Sequence, residues 1–263
     1  MTLSTADLRR ARLRLDIDDA HPGGAVATVT LDCPQRRNAM TPTMWRGLAR
    51  IGAELPPQVR VVVIRGAPPS FSAGLDLQLL APEGLDGEAP LPDPAGPGFG
   101  EWIAACQDGF RWLRRPSVVT IAAVQGHAVG AGFQLALACD LRVLADDAKM
   151  CMKEPSLGLV PDLTGTKPLV DLVGLPRAIE LCLTARTVDA AQAYALRLAE
   201  IVVPAAELDA TVADLAAALL ATDAATASAT KALLQQAPGH TLAQQADAEW
   251  RAQADLHRGR AGR

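Results

Sequence analysis

The residue types that could do chemistry gather in one stretch, Thr120 to Thr166, which reads TIAAVQGHAVGAGFQLALACDLRVLADDAKMCMKEPSLGLVPDLTGT. A β-branched run, Val118 to Val124, meets a loop holding Gly126, Gly130 and Gly132, and an apolar helix-like segment, Phe133 to Ala138, follows. Glycine between a strand and a helix lets a ligand approach bare backbone N–H groups at the positive end of the helix, a setting for an oxyanion or a phosphate. Two carboxylates downstream, Glu154 and Asp162, are candidates for proton transfer. An earlier segment, Phe71-Ser72-Ala73-Gly74-Leu75-Asp76, repeats the theme of a glycine just after a strand. The Gly130-Ala131-Gly132 run lacks the full dinucleotide fingerprint, because position 135 is leucine, and it lacks the Lys-Ser/Thr ending of a phosphate loop. Taken alone, tight strand–helix packing with no ligand explains these glycines equally well.

The elements that must position these residues are legible from periodicity. Residues 11–17 and 25–31 alternate polar and apolar around His21-Pro22-Gly23-Gly24, which predicts a hairpin. Thr41 as N-cap and Pro42 at the first helical position start a helix running to about Leu55. Residues 60–65 (RVVVIR) read as a buried strand, and 101–114 as a helix. Between them, 81–100 is rich in Pro, Gly and acids and reads as a mobile surface loop rather than a domain boundary. After the central stretch, 167–173, 176–183, 189–198, 205–221, 223–236 and 241–256 all read as helices, and the last residues, DLHRGRAGR, read as frayed. The order gives an α/β core over residues 1–200 and a helical C-terminal region over 201–263.

Composition narrows the classes. Apolar residues make up 49% of 263 and aromatics only 3%, so Ala, Val and Leu must build the core. A net charge of −4 without an extended basic patch argues against nucleic acid as partner. No signal peptide or membrane span is expected, and five scattered cysteines without a CxxC read as reduced core residues of a cytoplasmic protein. No metal-ligand pattern appears, and His127 reads as a surface or supporting residue.

The ordered landmarks CPQRRNAM, VVVIRG, FSAGLDL, PSVVTIAAVQGHAVGAGFQLALACDLRVLA, KEPSLGLVPDLTGT and LVGLPRAIELCLTARTVDAAQAYALRLAEIVVP carry a family likeness. In these the chain resembles the enoyl-CoA hydratase/isomerase (crotonase) family over about residues 12–250. The resemblance implies a spiral of ββα units, with a helical C-terminal region that mediates trimerisation, often to a dimer of trimers. It implies an acyl-CoA thioester as ligand, with coenzyme A as part of the substrate and no separate cofactor. It implies an oxyanion hole made of the backbone N–H groups of Leu75 and Ala131, which would polarise the thioester carbonyl and stabilise an enolate. It assigns coenzyme A contacts to Arg37, Ala39, Ala73 and Asp76.

At one position the chain departs from the hydratase pattern. Hydratases carry a glutamate three residues after the second oxyanion donor, and here that residue is Gln134, which can hold a water but has no useful proton affinity. The second hydratase glutamate is matched by Glu154. The KEPSLGLVPDLTGT segment is similar to that of dienoyl-CoA isomerases, which implies Asp162 as a second acid; as residues alone, Asp162 also reads as a helix N-cap and Glu154 as a surface acid beside Lys153. Three readings follow: double-bond isomerisation through an enolate with Glu154 and Asp162 handling protons, hydration with Glu154 activating a water held by Gln134, and non-catalytic fatty acyl-CoA binding.

Overall fold

The computed structural model describes residues 4–261. A short helix α1 (Thr5–Arg10) opens it, held by a reciprocal cap between Ser4 and Asp7 that the sequence reading missed. The hairpin follows: β1 (Leu13–Asp18) and β2 (Ala25–Leu31) pair antiparallel with Leu13 opposite Leu31. Helix α2 (Pro42–Glu54) begins at Thr41, whose hydroxyl accepts the Met44 N–H at 3.2 Å. Next come β3 (Val59–Gly66), α3 (Phe99–Arg111), β4 (Val119–Val124), β5 (His127–Val129), α4 (Ala131–Ala138), β6 (Leu141–Ala145) and β7 (Lys149–Cys151). The chain continues through α5 (Thr166–Val173), α6 (Leu175–Thr184), β8 (Val188–Asp189), α7 (Ala190–Ala195), β9 (Ile201–Val203), α8 (Leu208–Leu220), α9 (Ala224–Gln236) and α10 (Leu242–Ala261).

The strands divide between two sheets, one ordered β1-β2-β3-β4-β6-β9 and a smaller one ordered β5-β7-β8. Successive units place a first strand in the large sheet, a second strand or bridge in or beside the small sheet, and then a helix: β4, β5, α4, followed by β6, β7 and α5–α6. In the preceding unit β3 plays the first part, and Ser72 forms a parallel bridge to Ala128 of β5. This is the ββα spiral.

The period-2 burial of the sheet explains its layering. One face, including Ala27, Val29, Leu31, Val62, Ile64, Ala122 and Leu144, shares a core with Met44, Leu48 and Ile51 of α2, Phe110 of α3 and Leu135 of α4. The other face, with Val61, Val63, Ile121, Ala123 and Val143, is covered by Leu208, Val212, Ala216 and Leu220 of α8, a stripe at helical spacing. Residues 201–220 therefore pack with the sheet: β9 pairs with β6, and α8 lies on the sheet's far face.

Helix α9 is tied to the core by Lys231, whose ammonium donates to Asp140 Oδ2 at 2.6 Å and to the Val118 carbonyl at 2.7 Å. Helix α10 packs on α9 and stays helical to Ala261, so the fraying expected for DLHRGRA does not occur there. Arg251 and Arg258 follow the acids Asp247 and Asp255 at helical spacing and pair with them, which supports the turn.

The 81–98 segment holds turns and no regular element, and Glu88 fastens it to the start of α2 by accepting from Thr43 Oγ1 at 2.9 Å. Among the described residues no single helix is long and apolar enough to cross a membrane. The five cysteines are free, four of them buried and Cys182 half-buried.

Candidate active site

The two glycine loops meet because their units pair in register. Phe71 N–H donates to the Gln125 carbonyl, Ser72 N–H to the His127 carbonyl and Val129 N–H to the Ser72 carbonyl. Residues equally far past the Ser72–Ala128 bridge then come side by side, and three residues on these are Leu75 and Ala131. Gly74 makes the approach possible: its φ is +85°, and a Cβ there would lie 2.4 Å from the Val129 carbonyl oxygen and 3.4 Å from the Ala131 nitrogen.

Neither candidate donor is spent on the fold. The segment 73–76 is strapped to 37–40 by three backbone bonds, Ala73 N–H to the Arg37 carbonyl, Met40 N–H to the Gly74 carbonyl and Asp76 N–H to the Met40 carbonyl. The strap skips the Leu75 N–H. Ala131 is the first residue of α4, where an N–H has no intrahelical partner. The helix is entered through Gly130 (φ +51°), whose own N–H donates to the Cys151 carbonyl at 2.8 Å.

Glu154, at the start of a 3₁₀ turn (Glu154–Leu157), lies against this loop. A Cβ on Gly130 would be 3.1 Å from Glu154 Oε1 and 3.4 Å from Oε2, closer than ordinary contact, so the glycine lets the carboxylate lie undisplaced beside Ala131. Glu154 forms no salt bridge with Lys153; Gln134 donates to its Oε1 at 2.6 Å, and Oε2 is buried with no hydrogen-bond partner. Burial pushes its pKa above the usual glutamate value, with the nearby Asp162 charge adding to the rise and the Gln134 hydrogen bond opposing it.

Asp162 caps no helix: α5 starts after Gly165, and no side chain caps it. Asp162 is an exposed residue, yet its carboxyl sits low enough among protein atoms that desolvation raises its pKa as well. Its carbonyl accepts from Gln107 of α3 at 2.7 Å. The two carboxylates therefore stand in each other's field, one of them against the Ala131 loop.

The structure buries Gln134 between Glu154 and the 163–165 turn. The side chain is 1% exposed, and its Oε1 accepts the N–H groups of Leu163 at 3.0 Å and Gly165 at 3.2 Å. No acceptor remains to take a hydrogen from a water.

The residues assigned to coenzyme A are less uniform. Arg37 is exposed in a left-handed turn (φ 50°), Ala39 is buried beneath it, and Ala73 is half-buried. Asp76, by contrast, faces inward: its carboxylate is fully buried, accepts from Arg36 at 2.5 Å and from the Gln78 N–H at 3.2 Å, and lies 3.9 Å from Arg12. Its side chain holds the Leu75 loop in place. Arg36, Arg12 and Asn38 were missed as its companions. Asn38, buried, receives the Cys33 N–H and donates to the Ala67 and Ser70 carbonyls, tying both sides of the strap.

Among the described residues no group of three potential metal ligands occurs. A cleft of about 470 Å³ between α9 and α10, lined by alanines, Leu233 and Leu256 together with Asp223, Arg251 and Asp255, lies away from the loops and carboxylates just described.

The family model for enoyl-CoA hydratase/isomerase matches residues 22–260. Carnitinyl-CoA dehydratase of Escherichia coli K12 is 38% identical over 189 residues, 70% of this chain and 67% of that protein. Hydroxycinnamoyl-CoA hydratase-lyase of Pseudomonas fluorescens is 30% identical over 220 residues, 83% of this chain and 76% of its own length. A candidate enoyl-CoA hydratase of Thermobifida fusca, solved in complex with CoA, is 56% identical with a TM-score of 0.93, covering 99% of this chain and 98% of that one. The same protein has also been solved with acetoacetyl-CoA.

Proposed function

Since the chain belongs to the enoyl-CoA hydratase/isomerase family, we propose that it binds an acyl-CoA thioester and shifts a carbon–carbon double bond through an enolate. The observation that carries this reading is the desolvated Glu154 carboxylate beside Gly130, one residue from the unpaired Ala131 N–H and opposite the unpaired Leu75 N–H. The thioester oxygen accepts from both N–H groups, where preorganised donors lower the cost of developing negative charge. Glu154 removes a proton from an acyl carbon, and the C–H electron pair moves into the enolate. Asp162, its pKa also raised, gives a proton to a carbon further along as the pair returns from oxygen to form the shifted double bond. Exchange with solvent returns both acids to their starting states. No metal or redox cofactor enters the step.

The relatives named above include a dehydratase and a hydratase-lyase, so membership alone leaves the reaction open. Incubation with 2-enoyl-, 3-enoyl- and dienoyl-CoA thioesters, read by product mass and ultraviolet absorbance, decides it. Isomerisation leaves the mass unchanged, and hydration adds one water. If no thioester is converted yet all bind, the non-catalytic binding reading replaces this one. The same proposal includes assembly as a homotrimer or a dimer of trimers; a light-scattering mass of one chain at micromolar concentration overturns that part.

A further inference from the structure

Gln134 is the one polar side chain in α4, AGFQLALA, whose eight residues are all buried. A buried amide must have its hydrogen-bonding capacity met, and here the backbone dictates how. The N–H groups of Leu163 and Gly165 both point at one end of the amide, and two donors can face only the oxygen. The NH₂ end is thereby fixed, without the ambiguity that usually attends an amide's two ends. It faces Glu154 Oε1 at 2.6 Å. Glycine at 165 is what lets the backbone donors come this close, because a Cβ there would lie 2.5 Å from Gln134 Cγ and 3.0 Å from its Oε1. The result is an asymmetric carboxylate: Oε1 always has a donor, while Oε2 has no protein partner and no contact with water.

The geometry points to Gln134 as a positioning residue that reserves Glu154 Oε2 for proton exchange with the acyl chain and, having no free acceptor, takes no hydrogen from a water for addition. This rests on the proposed acyl-CoA reading. In the step already described, the proton leaving carbon is taken by Oε2, the C–H pair passes to the thioester oxygen, and Oε1 keeps its hydrogen bond to Gln134 throughout. In a hydrating site Gln134 could hold the water only through its second N–H, because the amide oxygen is already occupied by two backbone N–H groups.

The test is Gln134→Glu, with Gln134→Leu beside it. Glutamate keeps an oxygen for the Leu163 and Gly165 N–H groups, so the fold is retained, but it sets an oxygen without hydrogen against Glu154 Oε1. Two carboxylates at that distance compete for one proton, and the backbone donors hold the charge on position 134. The titration of Glu154 is followed by NMR of protein labelled at the glutamate carboxyls, assigned by difference against Glu154→Gln. In Gln134→Glu its midpoint is expected to rise by about one pH unit or more. The acid limb of the rate profile for proton exchange in D₂O should move the same way, and a water adduct should appear among the products. Gln134→Leu should lower kcat at least about tenfold with KM little changed, since the base is present but unaimed. An unmoved Glu154 titration in Gln134→Glu overturns the inference, as does water addition by the wild type as fast as proton exchange. The titration needs no turnover, so failure of the acyl-CoA reading, shown by undiminished exchange in Glu154→Gln, is a separate result.

Discussion

Substitution of Gly74 by alanine should separate the two oxyanion donors while leaving the rest of the fold in place. The new Cβ would lie 2.4 Å from the Val129 carbonyl oxygen, against a floor near 3.0 Å for real Cβ contacts, so the loops must part by roughly 0.6 Å or more. Neither neighbour is a flexible side-chain end: Val129 and Ala131 are backbone contacts within the register that brings the loops together. Oxyanion donors work at about 2.7–3.1 Å, and losing one typically costs about 10²–10³-fold in kcat. Alanine also carries a left-handed penalty of about 1–2 kcal/mol at φ +85°. Gly87 supplies the control, because its φ is +82° and nothing lies within 4 Å of a Cβ there. Gly87→Ala carries the same backbone penalty without the collision. The assay is proton exchange or isomerisation at saturating thioester, together with the melting temperature of each variant. The expected outcome is a hundredfold or greater loss (about 10²) in Gly74→Ala and near wild-type rates in Gly87→Ala. If both variants turn over within about threefold of the wild type, the Leu75 and Ala131 N–H groups are not the pair that holds the oxyanion.

Glu154→Gln should cut turnover by about 10²–10⁴-fold while acyl-CoA binding, measured by calorimetry, stays close to wild type, because both proposed oxyanion donors are main chain. Its stability effect has a defined sign. Because the folded-state pKa of Glu154 lies above 4.5, the native chain holds this proton more tightly than the unfolded chain. That contribution is full below 4.5 and is lost as pH rises through the raised value, so the melting temperature of Glu154→Gln relative to wild type should climb across that window. Asp162→Asn should leave stability within about 0.5 kcal/mol, since the carboxylate caps no helix, yet slow delivery of the proton to the distant carbon; full isomerase activity would remove Asp162 from the mechanism. Lys231→Met leaves the Val118 carbonyl and one side of Asp140 without their donor and should cost about 3 kcal/mol in chemical denaturation, with Asp140 still held by Thr120; a loss within about 0.5 kcal/mol would show that α9 does not depend on this tie.

Periodicity and caps carried most of the fold into the sequence. Thr41-Pro42 announces α2, and the alternation in ARLRLDI and AVATVTL announces the β1–β2 hairpin, because local chemistry decides each of them. The short strands β5, β7 and β9 did not show, since three residues are too few for a period and their pairing is set by distant neighbours. At the site, the glycines at 74 and 130 and the acid at 154 were legible by type and by family pattern. What Gln134 does was not, because its partners are backbone N–H groups far along the chain, invisible to any reading of side chains. Its one sequence signal was its isolation: a lone amide in AGFQLALA must find partners inside the protein. The inward turn of Asp76 was hidden for a similar reason, because Arg12 and Arg36 are neighbours only after folding.

The bridge between Ser72 and Ala128 makes the chain between them irrelevant to the distance between the two donors. Leu75 and Ala131 are placed by counting forward from a shared point of contact, not by the length of the 81–98 excursion or of α3. That excursion can therefore vary in length and composition while the spacing of the two N–H groups stays constant. A single residue inserted between Ser72 and Leu75 has the opposite effect, since it changes the count on one side only. The spacing of the two N–H groups and the length of the excursion are thus written in different parts of the chain and are free to change independently.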